Sequence, residues 1–422
     1  MLYCYAHGVK MMLSGHTPLR PDLESKSPAC ELQVTGGKLP KQRALLMGYY
    51  GVGNLGDEMM LVCLKQWLER QGFDLTVLSE KPATVVQTHG LPAVENSPLL
   101  GEWAWRSGWL RGGALRVVRA LASSDVLIVG GGDLIRDDQG WRTFLFTMEK
   151  IVAAILMGKK VFLVNMGIGQ LSTRYGRALL KWTLRRCQRI IVRDARSEQM
   201  CRQLGVTEQV TLAPDIVLSL PDLLGHQRLT NVGSPHKSAY MLVCLRHNPE
   251  AFHDYEMTEA RIRTLAQSLD ALIERHNVDV VFLPLHAATP NGRGDASLHG
   301  RVAKAMVHAE RIQLRPWTAD LNEVCSWISD AQLVLAMRLH AAVLAHSYGR
   351  PCVLMPYDRK VKEFGELMAI RHSIEAATLD EVAAVDDVFE SAWREPQPEH
   401  GRDHWQHTIS SMWADLTLER AS

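Results

Sequence analysis

No apolar run in these 422 residues approaches the roughly 20 that a membrane-crossing helix needs. The longest candidate, Ile151 to Gly169, is broken by Gly158, Lys159 and Lys160. A charge excess of either sign is also missing. Against 47 Lys and Arg stand 46 Asp and Glu, a formal net charge of +1, so the chain has no electrostatic footprint for nucleic acid or an acidic membrane. Eight cysteines are present, but none forms a CxxC pair and their spacing is irregular. That argues for free thiols in a reducing compartment. The first 43 residues lack a basic stretch followed by an apolar core, so no signal peptide is expected. What these absences leave is a soluble cytoplasmic α/β protein, long enough for two ordinary domains.

What is present gathers around Leu335 to Phe364. An apolar run, Leu333 to Met337, reads as a strand buried on both faces. Arg338, Leu339 and His340 follow, then an Ala-rich helix, Ala341 to Tyr348, closed by Gly349. Past Pro351 a second strand, Cys352 to Pro356, leads to a basic helix opening at Lys360 and Lys362. Two consecutive strands thus deliver cations at their carboxyl ends, the edge where open α/β sheets bind ligands. A fixed Arg338 with His340 and a lysine nearby suits a small, highly charged anion. The alternative is that Arg338 and His340 cap the strand and pair with acidic neighbours.

The amino-terminal half repeats the strand–loop–helix pattern. Ala44 to Met47 is a strand, Gly51, Gly53 and Gly56 form a loop, and a helix starts near Asp57 or Glu58, with Asp57 as its cap. Such a loop ahead of a helix favours anions. The G-x-G-x-x-G spacing is a weak dinucleotide signal, because the following strand offers only Glu80 at its end. Asp125 to Gly132 runs as a buried strand into three glycines, then Asp133, Arg136, Asp137 and Asp138. The last two acids read as a solvated loop rather than a metal site. Strand Arg189 to Val192 ends in Arg193 and Asp194, with Ser197 capping the next helix; Arg193 either faces a ligand or pairs with Asp194. Trp103, Trp105 and Trp109, interleaved with arginines, read as a helix packing on the core, with a sugar platform or a membrane-facing patch as alternatives. Ser219 to Ser238 loses periodicity and is the natural linker. In the second half, strand Tyr240 to Leu245 ends at Arg246 and strand Asp279 to Leu285 ends at His286. The expected organisation is a poorly ordered segment 1–42, α/β domains at 43–220 and 239–375, and a helical segment at 376–422 that includes Trp405, Ile409 and Trp413.

Four of these segments resemble, in order, the polysaccharide pyruvyl transferases. GYYGVGNLGDE matches the family's opening motif at Asn54, Asp57 and Glu58. The glycine run follows, with Asp133 standing where the family has a glycine-like position. VRDARS resembles its RD..S motif, and MRLH…GRP…YDRKVKEF its longest one. The alternation of strands and helices, together with this resemblance, implies two Rossmann-like doubly wound domains arranged as in GT-B glycosyltransferases.

The activity implied is transfer of a pyruvyl group from phosphoenolpyruvate to a sugar of a cell-surface polysaccharide or its lipid-linked precursor, with a ketal formed and phosphate released. Arg338 and Arg193 would then clamp the donor, with Lys360 and Lys362 as point charges on its phosphate. His340 would protonate C3 or stabilise the departing phosphate. Asn54, Asp57 and Glu58 would bind the acceptor, the two acids positioning or deprotonating its hydroxyl. No cofactor or metal is implied, phosphoenolpyruvate being a co-substrate. A lipid-linked glycan would bring peripheral contact with the inner face of the membrane. Two other readings fit the residues less fully: a nucleotide-sugar glycosyltransferase on the same fold, and a non-catalytic carbohydrate-binding protein.

Overall fold

Among the described residues of the computed structural model, thirteen short strands, most of them buried on both faces, form two parallel sheets. The structure describes residues 41–100, 112–137, 140–169, 171–225, 238–247, 255–288, 294–394 and 409. The Trp103–Trp109 segment, Asp138, residues 1–40, most of the 219–238 linker and the carboxyl-terminal run apart from Ile409 lie outside these. The described residues belong to one compact unit.

The first sheet contains β1 Arg43–Met47, β2 Asp74–Ser79, β3 Ala93–Glu95, β4 Val126–Gly130, β5 Lys160–Met166, β6 Arg189–Val192 and β7 Val210–Leu212, in the order β3-β2-β1-β4-β5-β6-β7. The second contains β8 Tyr240–Cys244, β9 Asp279–Phe282, β10 Ile312–Leu314, β11 Leu333–Ala336, β12 Cys352–Leu354 and β13 His372–Ser373, in the order β10-β9-β8-β11-β12-β13. All pairings are parallel. The sequence explains this: β4, β8 and β11 are unbroken apolar runs, buried at every position, as parallel strands covered by helices on both faces require. Each sheet reverses its strand order once, between β1 and β4 and between β8 and β11. Ligands bind doubly wound sheets in the crevice outside the carboxyl ends at that point.

Several helix starts differ from the sequence expectation. The first helix spans Leu55–Arg70 and its N-cap is Asn54, without a side-chain capping bond. Asp57 therefore lies in the first turn, where its carboxylate accepts from Asn54 Nδ2. Helix Ala195–Gln203 is capped by Asp194, whose Oδ1 accepts from the Ser197 N–H at 2.7 Å; Ser197 itself is inside the helix. Helix Leu339–Ser347 begins within the RLH motif, so Arg338 is its N-cap and His340 sits in its first turn. The linker is also not loose at its start. A 3-10 turn, Ile216–Ser219, and the short helix Leu220–Leu223 bury Ile216, Val217, Leu218 and Leu220. The Ser347 hydroxyl reaches back to the Leu218 carbonyl.

The halves meet along a backbone clasp. The Leu55 N–H donates to the Leu285 carbonyl at 3.0 Å and the Ala287 N–H to the Gly53 carbonyl at 2.9 Å, with Asn54 bridged antiparallel to His286. One continuous apolar cluster joins Leu55 and Met59 of the first half to Leu339 and Val343 of the second. The six described cysteines are free and buried, as small core residues. No helix among the described residues is long and apolar enough to cross a membrane.

The clasp is held from behind by Asp295, the first residue of helix Asp295–Ala305. Its carboxylate is wholly buried and accepts the N–H groups of Leu285 and His286 at 3.1 and 2.9 Å, as well as the Arg338 guanidinium. Asp295→Ala should cost about 3–5 kcal/mol, because it leaves a buried cation and two backbone donors unpaired. Chemical denaturation measures this; a loss under about 1 kcal/mol would show that water replaces the carboxylate at no cost.

Candidate active site

The loops at the two switch points enclose a cavity of about 460 Å³. From the first half come Asn54, Gly56 and Asp57 after β1, Gly132 and Asp133 after β4, and Arg193 after β6. The second half supplies Arg246 after β8, His286 beyond β9, Arg338 and His340 after β11, and Tyr357 and Lys360 after β12. Asn54, Asp57, Arg193, Arg338, His340 and Lys360 thus meet in one place, across more than 300 residues of chain.

Two expected site residues do not join them. Glu58 is buried behind the glycine loop: its Oε1 accepts the Gly51 N–H at 2.8 Å and its Oε2 lies 2.7 Å from His89 Nε2. It holds the loop and does not line the cavity. Lys362 is exposed and lines no part of the cavity, since a residue two positions beyond Lys360 on a helix points to another face.

The cations are held by carboxylates. Arg338 forms a two-pronged pair with Asp295, Nε to Oδ2 at 3.0 Å and Nη2 to Oδ1 at 2.5 Å, while the arginine also lines the cavity. Arg338 therefore pairs with an acid and also lines the crevice. Arg193 pairs not with Asp194 but with Asp133, at 2.6 Å, and its Nη1 is 3.9 Å from Asp215 Oδ2. Lys360 Nζ is 3.8 Å from Asp133 and 3.5 Å from Asp358. Burial works against the Asp133 carboxylate, but Arg193, Lys360 and Arg136 outweigh it and hold its pKa at about 2. The departure at Asp133 thus has a role, as the counter-charge shared by Arg193 and Lys360. Arg246 stacks on the Tyr357 ring, 4.8 Å from its centroid, and bonds its hydroxyl.

Asp57 goes the other way. Burial raises its pKa from 3.8 to about 6, against the pull of His340, Lys360 and Arg193. Its neighbour Gly56 leaves room for the His340 ring, since a Cβ there would stand 2.0 Å from Nδ1. The sequence did not single out Asp215 or Asp295. Asp215 reads only as the end of an Ala-Pro-Asp turn, and Asp295 precedes its partner Arg338 by 43 residues. No group of three or more His, Cys, Asp or Glu side chains that could hold a metal ion occurs among the described residues.

Two parallel doubly wound halves with a cation-lined cavity between their switch points define a GT-B-like fold, and comparison with solved structures agrees. The UDP-GlcNAc 2-epimerase of Methanocaldococcus jannaschii matches with a TM-score of 0.56 at 12% identity, over 88% of this chain and 100% of its own. S. aureus MnaA, solved with UDP, matches at 0.53 and 10%, over 87% and 90%. A glycosyltransferase from Rickettsia africae matches at 0.52 and 9%, over 90% and 96%. At these identities the likeness is one of fold. No curated protein sequence matches the chain significantly. The polysaccharide pyruvyl transferase family model matches residues 54–359, more than two thirds of the chain. The chain belongs to that family.

An ionised carboxylate kept at a raised pKa is a cost to the fold. With the Asp57 pKa lifted from 3.8 to about 6, the native state binds the extra proton between those values, so this group's stability contribution falls as pH rises through that window. Asp57→Asn should therefore stabilise the protein by roughly 3 kcal/mol at pH 7.5, and by about half as much at pH 5. Denaturation curves at the two pH values test this. A variant less stable than the parent at pH 7.5 would contradict it.

Proposed function

We propose that the protein transfers the pyruvyl group of phosphoenolpyruvate to two hydroxyls of one sugar, forming a ketal and releasing phosphate. The sugar belongs to a cell-surface polysaccharide or its lipid-linked precursor. The observation that carries this reading is the meeting, in one cavity, of a guanidinium locked in orientation by Asp295, a lysine, an imidazole and a carboxylate of raised pKa. Phosphoenolpyruvate brings a carboxylate and a phosphate, and planar guanidinium groups fix such anions where a point charge only attracts them.

The chemistry then divides among the residues. Arg338 and Arg193 orient the donor, and Lys360 faces its phosphate. His340 gives a proton to C3, which leaves an oxocarbenium-like centre at C2. The first sugar hydroxyl adds to C2, and Asp57, ionised at neutral pH yet more basic than an ordinary carboxylate, takes its proton. Phosphate departs with the oxygen that bridged it to C2, and the second hydroxyl closes the ketal, losing its own proton. The proton given to C3 and the two lost from hydroxyls balance with one left on the phosphate. The side chains provide all the positive charge these steps need. A lipid-linked acceptor would place the reaction at the inner face of the membrane.

Incubation with phosphoenolpyruvate, or with nucleotide sugars, and a panel of glycan acceptors tests the reading. Acceptor-dependent release of phosphate from phosphoenolpyruvate is expected. Release of a nucleoside diphosphate instead would make the protein a glycosyltransferase. His340→Asn separates binding from chemistry, since the amide keeps a hydrogen-bonding group but cannot protonate carbon. Phosphoenolpyruvate should bind within a few fold of the parent while turnover falls by about 10²–10⁴. Near-normal turnover would remove His340 from the reaction.

A further inference from the structure

Asp215 stands in the turn between β7 and the Ile216–Ser219 3-10 segment, with 4% of its surface exposed. Its two oxygens are used differently. Oδ1 accepts the Val217 N–H at 3.0 Å and caps the 3-10 turn. Oδ2 is buried and has no hydrogen-bond partner among the described residues. His340 Nε2, 3.6 Å away, is likewise buried and likewise without one. A buried ring nitrogen and a buried carboxylate oxygen that face each other across this gap are each costly unless they bond together. An approach of a few tenths of an ångström makes the bond.

The ring has little choice of position. The first turn of helix Leu55–Arg70 packs over the ring face at Gly56, where a Cβ would stand 2.0 Å from Nδ1 and 2.4 Å from Cε1, and Asp215 meets the Nε2 edge. Since Nε2 is buried, the 13% of the His340 side chain that is exposed belongs to the rest of the ring, beside the cavity it lines. Asp57, from helix Leu55–Arg70, bears on His340, and Arg193, just beyond β6, bears on Asp215. Arg193 Nη1, 3.9 Å from the same Oδ2, helps to keep Asp215 ionised. Burial raises the Asp215 pKa, but His340 and Arg193 outweigh it and the net shift is downward.

We infer that Asp215 is a positioning residue: it holds the His340 ring with Nε2–H turned to Oδ2, so that Nδ1 is the nitrogen that serves the substrate. The inference rests on the role given above to His340. A hydrogen bond at one ring nitrogen fixes which nitrogen carries the proton when the ring is neutral. With both nitrogens protonated, Nδ1–H is the proton given to C3. The ring then returns to the neutral Nε2–H form with its bond to Asp215 intact, and Asp215 stays a carboxylate throughout. This division leaves Asp57 free for the acceptor and accounts for two carboxylates with opposite pKa shifts beside one histidine.

Nitrogen NMR of protein with labelled histidine rings reads the tautomer directly, the His340 signals being those lost in His340→Asn. In the wild type the neutral ring should carry its proton on Nε2. In Asp215→Asn the cap on Val217 can be kept by the amide oxygen, which turns the amide N–H toward Nε2 and moves the ring proton to Nδ1. Turnover should then fall about a hundredfold or more, as when other triad-like carboxylates become amides, with KM for phosphoenolpyruvate changed only a few fold. A wild-type ring protonated on Nδ1 overturns the inference, and that measurement needs no folded variant. So does an Asp215→Asn protein with unchanged tautomer and turnover. If the tautomer behaves as stated but the wild type never consumes phosphoenolpyruvate, the positioning stands and the pyruvyl-transfer reading fails.

Discussion

One buried carboxylate, Asp295, takes four hydrogen bonds: two from the Arg338 guanidinium and one each from the N–H groups of Leu285 and His286. Much of the site depends on it. Arg338 is fixed in plane and direction before any ligand arrives, which lowers the cost of ordering it on binding. The segment it anchors, Leu285 to Ala287, is also the one that pairs with Gly53 to Leu55 across the crevice. A single interaction therefore sets both the orientation of the main cation and the approach of the two halves. Buried ion pairs are poor evidence of net stability. Here the return is geometric.

The same device recurs around the cavity with different outcomes. Arg193 lies between Asp133 and Asp215, and Lys360 leans on Asp133 and Asp358. The arginines and the lysine are thereby arranged as a fixed array whose charge is partly neutralised, so a dianionic or trianionic ligand meets oriented donors rather than a diffuse positive field. At Asp133 and Asp215 the neighbouring cations outweigh burial and the pKa falls; at Asp57 burial outweighs them and it rises. That split separates the acids that hold cations from the one fit to accept a proton.

What the sequence made legible were local properties. Apolar runs announced β1, β4, β8 and β11, the first two closed by glycine and the last two by arginine after a further apolar residue, and the residue at a strand's carboxyl end is fixed once the strand is known. Arg193, Arg338, His340 and Lys360 could be placed at the crevice for that reason. Partners were not legible, because they come from other loops: Arg338 finds Asp295 and Arg193 finds Asp133, 60 residues apart. Glu58 and Lys362 were misplaced by the neighbourhood rule itself. One or two positions along a helix from a true site residue lies a different face, toward His89 in one case and solvent in the other. The strands β3 and β13, three and two residues long, are too short to show a period.

In the proposed reaction the bond between C2 of phosphoenolpyruvate and its bridging oxygen breaks while C3 gains a proton. Donor labelled with a heavy oxygen isotope at that bridge, supplied with a competent sugar acceptor in heavy water, tests both at once. The label should leave with the phosphate, and the ketal methyl group should carry one deuterium per transfer. Label retained on the three-carbon product would mean that phosphorus, not carbon, is the centre attacked, and would contradict pyruvyl transfer through C2.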